Sequence, residues 1–354
     1  MLGLYVHIHF CRQKCFYCDF FSVKYDKYLA QKYVAAIAKH ALQYKNIQLD
    51  TIYIGGGTPS VLCENKIEKL LESINNAFNL RQLKEYTFEL NPESASEEKF
   101  EILKKYGVNR ISVGLQSDYD AYLKSLGRVH NFSQFIAALE TAKKVGFENI
   151  NLDLIYGFPN QTLEQWRHTL LNAVSFDCPH ISLYPLSVEE NTPFYKNAIT
   201  TDDDLQRQMY EKACEILSSN GFEHYEISNW AKKNRQSLHN SNYWRNCQYL
   251  ALGAGASGYF KGQRYKNTAD IGKYIAGGKI KTEIENIDGK TFETESIILG
   301  LRLINEGAPE TIFKNKTQIL QELLDAKMLV KEKGRIKLSR DYIFISNLVL
   351  SRFI

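Results

Sequence analysis

Three cysteines stand close together near the start of the chain, in the spacing Cys11-x3-Cys15-x2-Cys18. Thiolates are the usual ligands of iron–sulfur clusters, and three of them leave one iron of a four-iron cluster open to another ligand. Phe10, Phe16, Tyr17, Phe20 and Phe21 interleave them. Such aromatics would shield a cluster from water and raise its potential. Two other readings fit the same residues. Spacing of i, i+4, i+7 puts three core cysteines on one helix face, and His7 or His9 would complete a Cys3His zinc site. Placement directly after a strand-like run favours the cluster. Cys63, Cys178, Cys214 and Cys247 are scattered and read as ordinary buried thiols. An odd, partly clustered set suits metal or redox chemistry better than a disulfide framework.

Other polar groups could serve a ligand. Gly55-Gly-Gly-Thr58-Pro-Ser60 removes side chains where a ligand would approach the backbone closely, although a triple glycine alone more often marks a turn. Glu89, Gln116, Arg128 and Asp153 are ambiguous singly, because charged groups at strand ends are usually solvated or salt-bridged. Taken together they suit a ligand with hydroxyl, amino and carboxylate groups. His239 lies in His239-Asn-Ser-Asn-Tyr-Trp244. A neutral imidazole binds iron well, and Tyr243 and Trp244 could stack on a macrocycle. The plain alternative is a structural histidine.

These residues need elements to hold them. Six β-branched or aromatic runs recur, at Leu4–His9, Thr51–Gly55, Tyr86–Asn91, Arg110–Gln116, Asn149–Tyr156 and His180–Leu186. Helical periodicity separates them near Tyr25–Tyr44, Glu64–Phe78, Ser96–Tyr106, Phe132–Val145 and Leu163–Val174. Strand–helix alternation implies a parallel sheet with right-handed crossovers. Six units fall short of eight, so the expected fold is α/β, a partial (β/α)6 TIM-like barrel. Its sites should lie at the C-terminal strand ends, where the cysteines, the glycine run, Glu89, Gln116 and Tyr184-Pro185 all fall. After Asp203 the alternation stops. One more helix over 202–219, a strand at His224–Asn229 and a Gly-rich stretch at Leu252–Gly258 follow. The end of the chain reads as helices Thr294–Ile304 and Glu310–Ala326 plus a hairpin turning at Lys333-Gly334, a small winged-helix-like α+β unit. The expected division is a barrel over 1–220, an extension over 221–290 and a C-terminal unit over 291–354.

Composition excludes several classes. At 354 residues the chain can bury a large core without disulfides. With 44% hydrophobic and 24% charged residues it is neither disordered nor coiled coil. A net charge of +4 is too small to suggest nucleic acid. No secretory signal and no membrane-spanning run is expected, which makes the cytoplasm the expected location.

In combination, the cysteine spacing, Gly-Gly-Gly-Thr-Pro and the β/α units resemble the radical S-adenosylmethionine superfamily. Tyr5-Val-His-Ile-His-Phe-Cys11, Tyr17-Cys-Asp-Phe20, Gly114-Leu-Gln-Ser117, Leu126-Gly-Arg-Val-His130, Asp153-Leu-Ile-Tyr-Gly-Phe-Pro159 and Tyr225-Glu-Ile-Ser-Asn229 narrow this. They resemble the oxygen-independent coproporphyrinogen III dehydrogenase-like family over most of the chain. Its true dehydrogenases carry a fourth cysteine where Phe20 stands and a long N-terminal extension, whereas ten residues precede Cys11 here. His239–Trp244 matches the His-Asn-x-x-Tyr-Trp motif of the heme-chaperone branch. His9 and Phe16 stand where the family usually has Pro, and Ser257 where it often has His.

The resemblance implies a heme carrier that transfers heme to an acceptor protein, with radical oxidative decarboxylation of coproporphyrinogen III as the alternative. It implies a [4Fe-4S] cluster on Cys11, Cys15 and Cys18, with S-adenosylmethionine on the open iron. Tyr5, Tyr17, Gly56, Gly57, Thr58, Glu89, Gln116, Arg128 and Asp153 would bind that cofactor, with lesser contacts from Pro185 and Ala256. His239 would be the heme-linked residue. A heme acceptor, flavodoxin or ferredoxin as electron donor, and peripheral membrane contact through the acceptor complete the expected partners.

Overall fold

A computed structural model describes residues 1–354. Six strands follow the predicted order: β1 Leu2–Ile8, β2 Thr51–Gly56, β3 Glu85–Leu90, β4 Arg110–Gln116, β5 Ile150–Tyr156 and β6 His180–Pro185. Each pairs in parallel with the next. Six more follow: β7 Glu223–Glu226, β8 Asn229–Ala231, β9 Gln248–Leu252, β10 Ser257–Phe260, β11 Gln263–Asn267 and β12 Lys281–Asn286. All twelve form one sheet in the order β12-β11-β10-β9-β1-β2-β3-β4-β5-β6-β8-β7.

Period-2 alternation sorts the strands' side chains onto two faces. One face carries Leu4, Val6, Ile8, Ile52, Ile54, Phe88, Ile111, Val113, Leu152, Leu154 and Ile181, all packed into a 53-residue apolar core beneath the crossover helices. The opposite face carries Tyr5, His7, Thr51, Tyr53, Glu85, Glu89, Arg110, Ser112, Asn151, Asp153, His180 and Ser182. Closed TIM barrels fill that interior with branched apolar residues; here it is polar. Side chains from β2 through β6 line a single cavity. A flat sheet would hold β2 and β6 too far apart for that, at about 4.8 Å per strand, so the sheet curls into an open partial barrel.

The crossover helices start where the sequence supplies caps. Asp26 accepts from Leu29 N–H, and Asn131 and Thr162 each form a capping box with a Gln three residues on.

The expected extension over 221–290 is not a separate unit. It completes both edges of the barrel sheet, β7 and β8 antiparallel beside β6, and β9 to β12 beside β1. β9 is a seventh parallel strand, and Trp230, Leu250 and Leu252 belong to the barrel core. Alternation stops in the sequence because most of these strands pair antiparallel with their neighbours, and only the segment 232–247, with the short helix Leu238–Trp244, crosses from one side of the sheet to the other. A second apolar core of 14 residues, from Ile297 to Phe353, lies apart from the barrel core. That region contains helices Gly289–Leu301 and Thr317–Asp325 and a three-stranded antiparallel sheet. Lys333 and Gly334 take φ of 49° and 74° at its hairpin, the left-handed pair that tight hairpins require. Arg245 bonds Glu306 and Arg264 bonds Glu295, which tie this region to the barrel.

Candidate functional site

Cys11 ends a short strand, Phe10–Cys11, that pairs with Val23–Lys24 and so closes the cysteine loop at its base. Phe16 N–H donates to the Leu126 carbonyl and Gln13 Nε2 to the Gly127 carbonyl, which pins the loop's tip. All three cysteines are half-buried free thiols on the wall of one cavity of about 430 Å³. No three His, Cys, Asp or Glu side chains close around a point fit for a single metal ion. Sulfurs spread along a wall suit the separate corners of a polynuclear cluster. His7 bonds Tyr5 Oη and the Phe21 carbonyl, while His9 is sealed among Phe10, Phe21 and Tyr33. Neither lines this cavity, so the single-zinc alternative lacks its fourth ligand.

Burial raises the Cys11 thiol above its usual value and pushes Cys18 up to about 11. Both stay protonated near neutrality unless a cation compensates, and coordinated iron does that outright. The Thr58 hydroxyl lies 3.6 Å from Cys11 Sγ, and Arg128 Nη1 lies 3.7 Å from Cys15 Sγ. At Gly57 a Cβ would meet the Phe10 carbonyl at 2.9 Å and Cys11 Sγ at 3.0 Å. Only glycine lets the β2 loop approach the sulfur this closely. Gly56, at φ 114°, turns its N–H onto Glu89 Oε2 at 3.1 Å.

The opposite wall is polar. Glu89 accepts from Tyr53 Oη at 2.5 Å, and burial lifts its carboxyl to about 7. Asp153 is held by Ser112 at 2.8 Å and Asn151 at 2.9 Å, and burial raises it too. Burial opposes the charge of Arg128, yet Tyr17, Cys15 and Glu93 more than offset it, so the guanidinium stays cationic. Gln116 sits at the β4 end with φ 57°, and its Oε1 is buried without a partner. A buried acceptor facing a cavity is costly unless something donates to it. Beside the three sulfurs the cavity therefore offers the Arg128 cation, the Glu89 and Asp153 carboxylates and the unpaired Gln116 amide oxygen, with Lys14, Asp19 and Glu189 also on its lining. It fits a small zwitterion beside a thiolate-held cluster.

Most of the predicted residues converge here: the three cysteines, Tyr17, Gly56, Gly57, Thr58, Glu89, Gln116, Arg128, Asp153 and Pro185 all line the cavity. Tyr5 and Ala256 do not. They face a second cavity of about 500 Å³, and the Tyr5 ring stands 6.4 Å from Tyr53. Sequence reasoning missed Asn91, which accepts from Arg128 Nη2 at 2.7 Å and donates to Thr58 Oγ1 at 3.0 Å. Arg128, Asn91, Thr58 and Cys11 thus form one hydrogen-bonded chain. The polar Asn-Pro-Glu that follows β3 was its only signal.

His239 is placed differently from the expectation. It opens a buried helix, Leu238–Trp244, set against the N-terminal ends of the strands, opposite the cysteines. Glu85 accepts from the backbone of Leu238 at 2.8 Å and His239 at 2.9 Å, capping that helix from β3. The imidazole bonds Thr51 through Nδ1 at 2.9 Å and Tyr243 Oη through Nε2 at 2.8 Å. Burial holds it neutral by lowering its pKa to about 3. Both nitrogens are engaged, so in this arrangement neither faces an iron.

A model of the radical SAM superfamily matches residues 5–173, and barrel and cysteine loop together are those of that class. The coproporphyrinogen III oxidase HemN from Escherichia coli, described as a radical SAM enzyme, superposes with a TM-score of 0.87. That match spans 99% of this chain and 89% of HemN at 18% identity, a likeness of fold. Curated relatives are closer in sequence. The heme chaperone HemW of Lactococcus lactis is 36% identical over 99% of this chain and 96% of its own length. HemW of Bacillus subtilis is 39% identical, covering 78% and 75%, and HemW of Escherichia coli is 37% identical, covering 73% and 70%. The chain belongs to the HemW heme chaperone family.

Proposed function

We propose that the protein takes up heme and passes it to an acceptor protein, and that its barrel mouth carries a [4Fe-4S] cluster with S-adenosylmethionine. The observation that carries this reading is the single cavity in which three free cysteine sulfurs face Arg128, Glu89 and Asp153. Kinship with HemW proteins supplies heme as the cargo. Cys11, Cys15 and Cys18 hold the iron. Arg128 takes the cofactor's carboxylate, for which its planar fork is suited. Glu89 and the Gly56–Thr58 strip take the amino group, Asp153 the ribose, and Gln116 gains a donor for its free oxygen; Tyr17 and Pro185 add contact. When bound, the cluster supplies one electron at a time to the neighbouring sulfonium. Tyr5 and Ala256 face the second cavity, and His239, both of whose ring nitrogens are hydrogen-bonded, positions Tyr53 and Tyr243.

Phe20 stands 63% exposed at the cavity rim, where a fourth cysteine marks the dehydrogenases. No helix is long and apolar enough to cross a membrane. We place the protein in the cytoplasm, with flavodoxin or ferredoxin as donor and membrane contact only through the acceptor. The test is transfer: heme-loaded, anaerobically reconstituted protein is mixed with an apo heme protein and the Soret band followed. Movement of heme to the acceptor faster than from free hemin is expected; no uptake and no transfer would refute the reading.

A further inference from the structure

Resting on the assignment of Arg128 to the carboxylate of S-adenosylmethionine, we infer that His130 is a positioning residue. It is a spacer that keeps Arg128 from pairing with the buried carboxylate of Glu93, and so presents the guanidinium to the cofactor. Arg128 lines the cavity, whereas His130 and Glu93 lie behind its wall. The His130 side chain is wholly buried and that of Glu93 is 6% exposed. Val129, between the two basic residues in sequence, is exposed, so Arg128 and His130 both turn inward from one short segment.

The ring stands between two opposite charges. Its Nδ1 lies 3.5 Å from Arg128 Nη2 and 3.6 Å from Glu93 Oε2. Nε2 carries a proton, because its partner at 3.2 Å is the Leu115 carbonyl, which only accepts. That bond pins the ring to β4 and leaves Nδ1 to accept from the guanidinium. Glu93 Oε2 is then buried with no donor of its own. Glu93 comes from the single helical turn Pro92–Ser94 that follows β3, and Asn91 at the start of that turn accepts from Nη2 at 2.7 Å. The contacts that hold Arg128 back therefore meet at Nη2, while Nη1 stays 3.7 Å from Cys15 Sγ on the cavity wall.

A buried guanidinium and a buried carboxylate attract strongly, and a direct forked pair would occupy donors that a ligand needs. Burial opposes the charge of Glu93, but His130 and Arg128 outweigh it and hold its carboxyl below the ordinary value. Glu93 thus balances Arg128 across the ring without capping it. The close pair is left for the carboxylate of the cofactor.

The test measures binding of S-adenosylmethionine and of its decarboxylated analogue to the anaerobic, cluster-loaded full chain, with iron content matched across samples. Wild type is compared with His130→Ala and with His130→Ala combined with Glu93→Gln. His130→Ala should let the guanidinium swing onto Glu93 and weaken S-adenosylmethionine binding about tenfold or more, with the analogue unchanged. Adding Glu93→Gln removes the competing carboxylate and should restore affinity to within about threefold of wild type. A merely structural histidine would cost both ligands alike and leave the double variant no better than the single one. Either of those results, or wild-type affinity in His130→Ala, would overturn the inference. Wild-type protein that does not prefer the carboxylate-bearing ligand would overturn the Arg128 assignment on which it rests.

Discussion

Each residue at the cysteine mouth acts through a partner that can be removed. Arg128→Ala should weaken S-adenosylmethionine binding about ten- to a hundredfold, the worth of a charge-assisted contact. Iron content should be retained, as measured by calorimetry and iron analysis on one sample. Replacing Cys11, Cys15 or Cys18 by Ala should instead abolish the brown colour and the roughly four iron per chain expected of the cluster. Glu89 adds a pH dependence. Its carboxyl titrates near 7 rather than 4.5 because it is buried, and only the ionised form accepts fully from an amine. Cofactor affinity should rise with pH and level off above about 7, and Glu89→Gln should remove that inflection. The native state holds the extra proton between 4.5 and about 7, so this group's contribution to stability falls as pH rises through that window.

At the scale of elements, the helix Leu238–Trp244 braces the N-terminal ends of the barrel strands and reaches Glu89 only through Tyr53. His239→Ala would leave Thr51 and Tyr243 without their shared partner and open a void against Gly3. A loss of about 2–4 kcal/mol in unfolding free energy is expected from those two effects, read as a lower urea midpoint for the metal-free protein. An unchanged midpoint would mean that the imidazole is not part of the buried scaffold. The six barrel strands and the cysteine loop were legible because their signals are local: apolar alternation, and close spacing of a rare residue. The place of His239 was not, because its partners Thr51 and Glu85 lie 188 and 154 residues away and meet it only through the curl of the sheet. The cavity that Tyr5 faces was hidden for a related reason. Alternation puts Tyr5 on the inner face, but only the added strands β9 to β11 create the second cavity that it lines.

For the whole molecule, fold and function come apart. The chain shares its architecture with HemN over nearly its full length, and shared architecture does not carry chemistry. What separates the two readings is Phe20 in place of the dehydrogenases' fourth cysteine, together with the chain's kinship to the HemW proteins. The C-terminal helix contributes Leu299 to the second cavity, so barrel and C-terminal core meet there. The most direct measurement uses one anaerobic, cluster-loaded preparation, divided between a hemin titration and a coproporphyrinogen III turnover assay with reductant and S-adenosylmethionine. The account predicts heme uptake near one per chain and no formation of protoporphyrinogen IX. Sustained decarboxylation by protein that takes up no heme would contradict it.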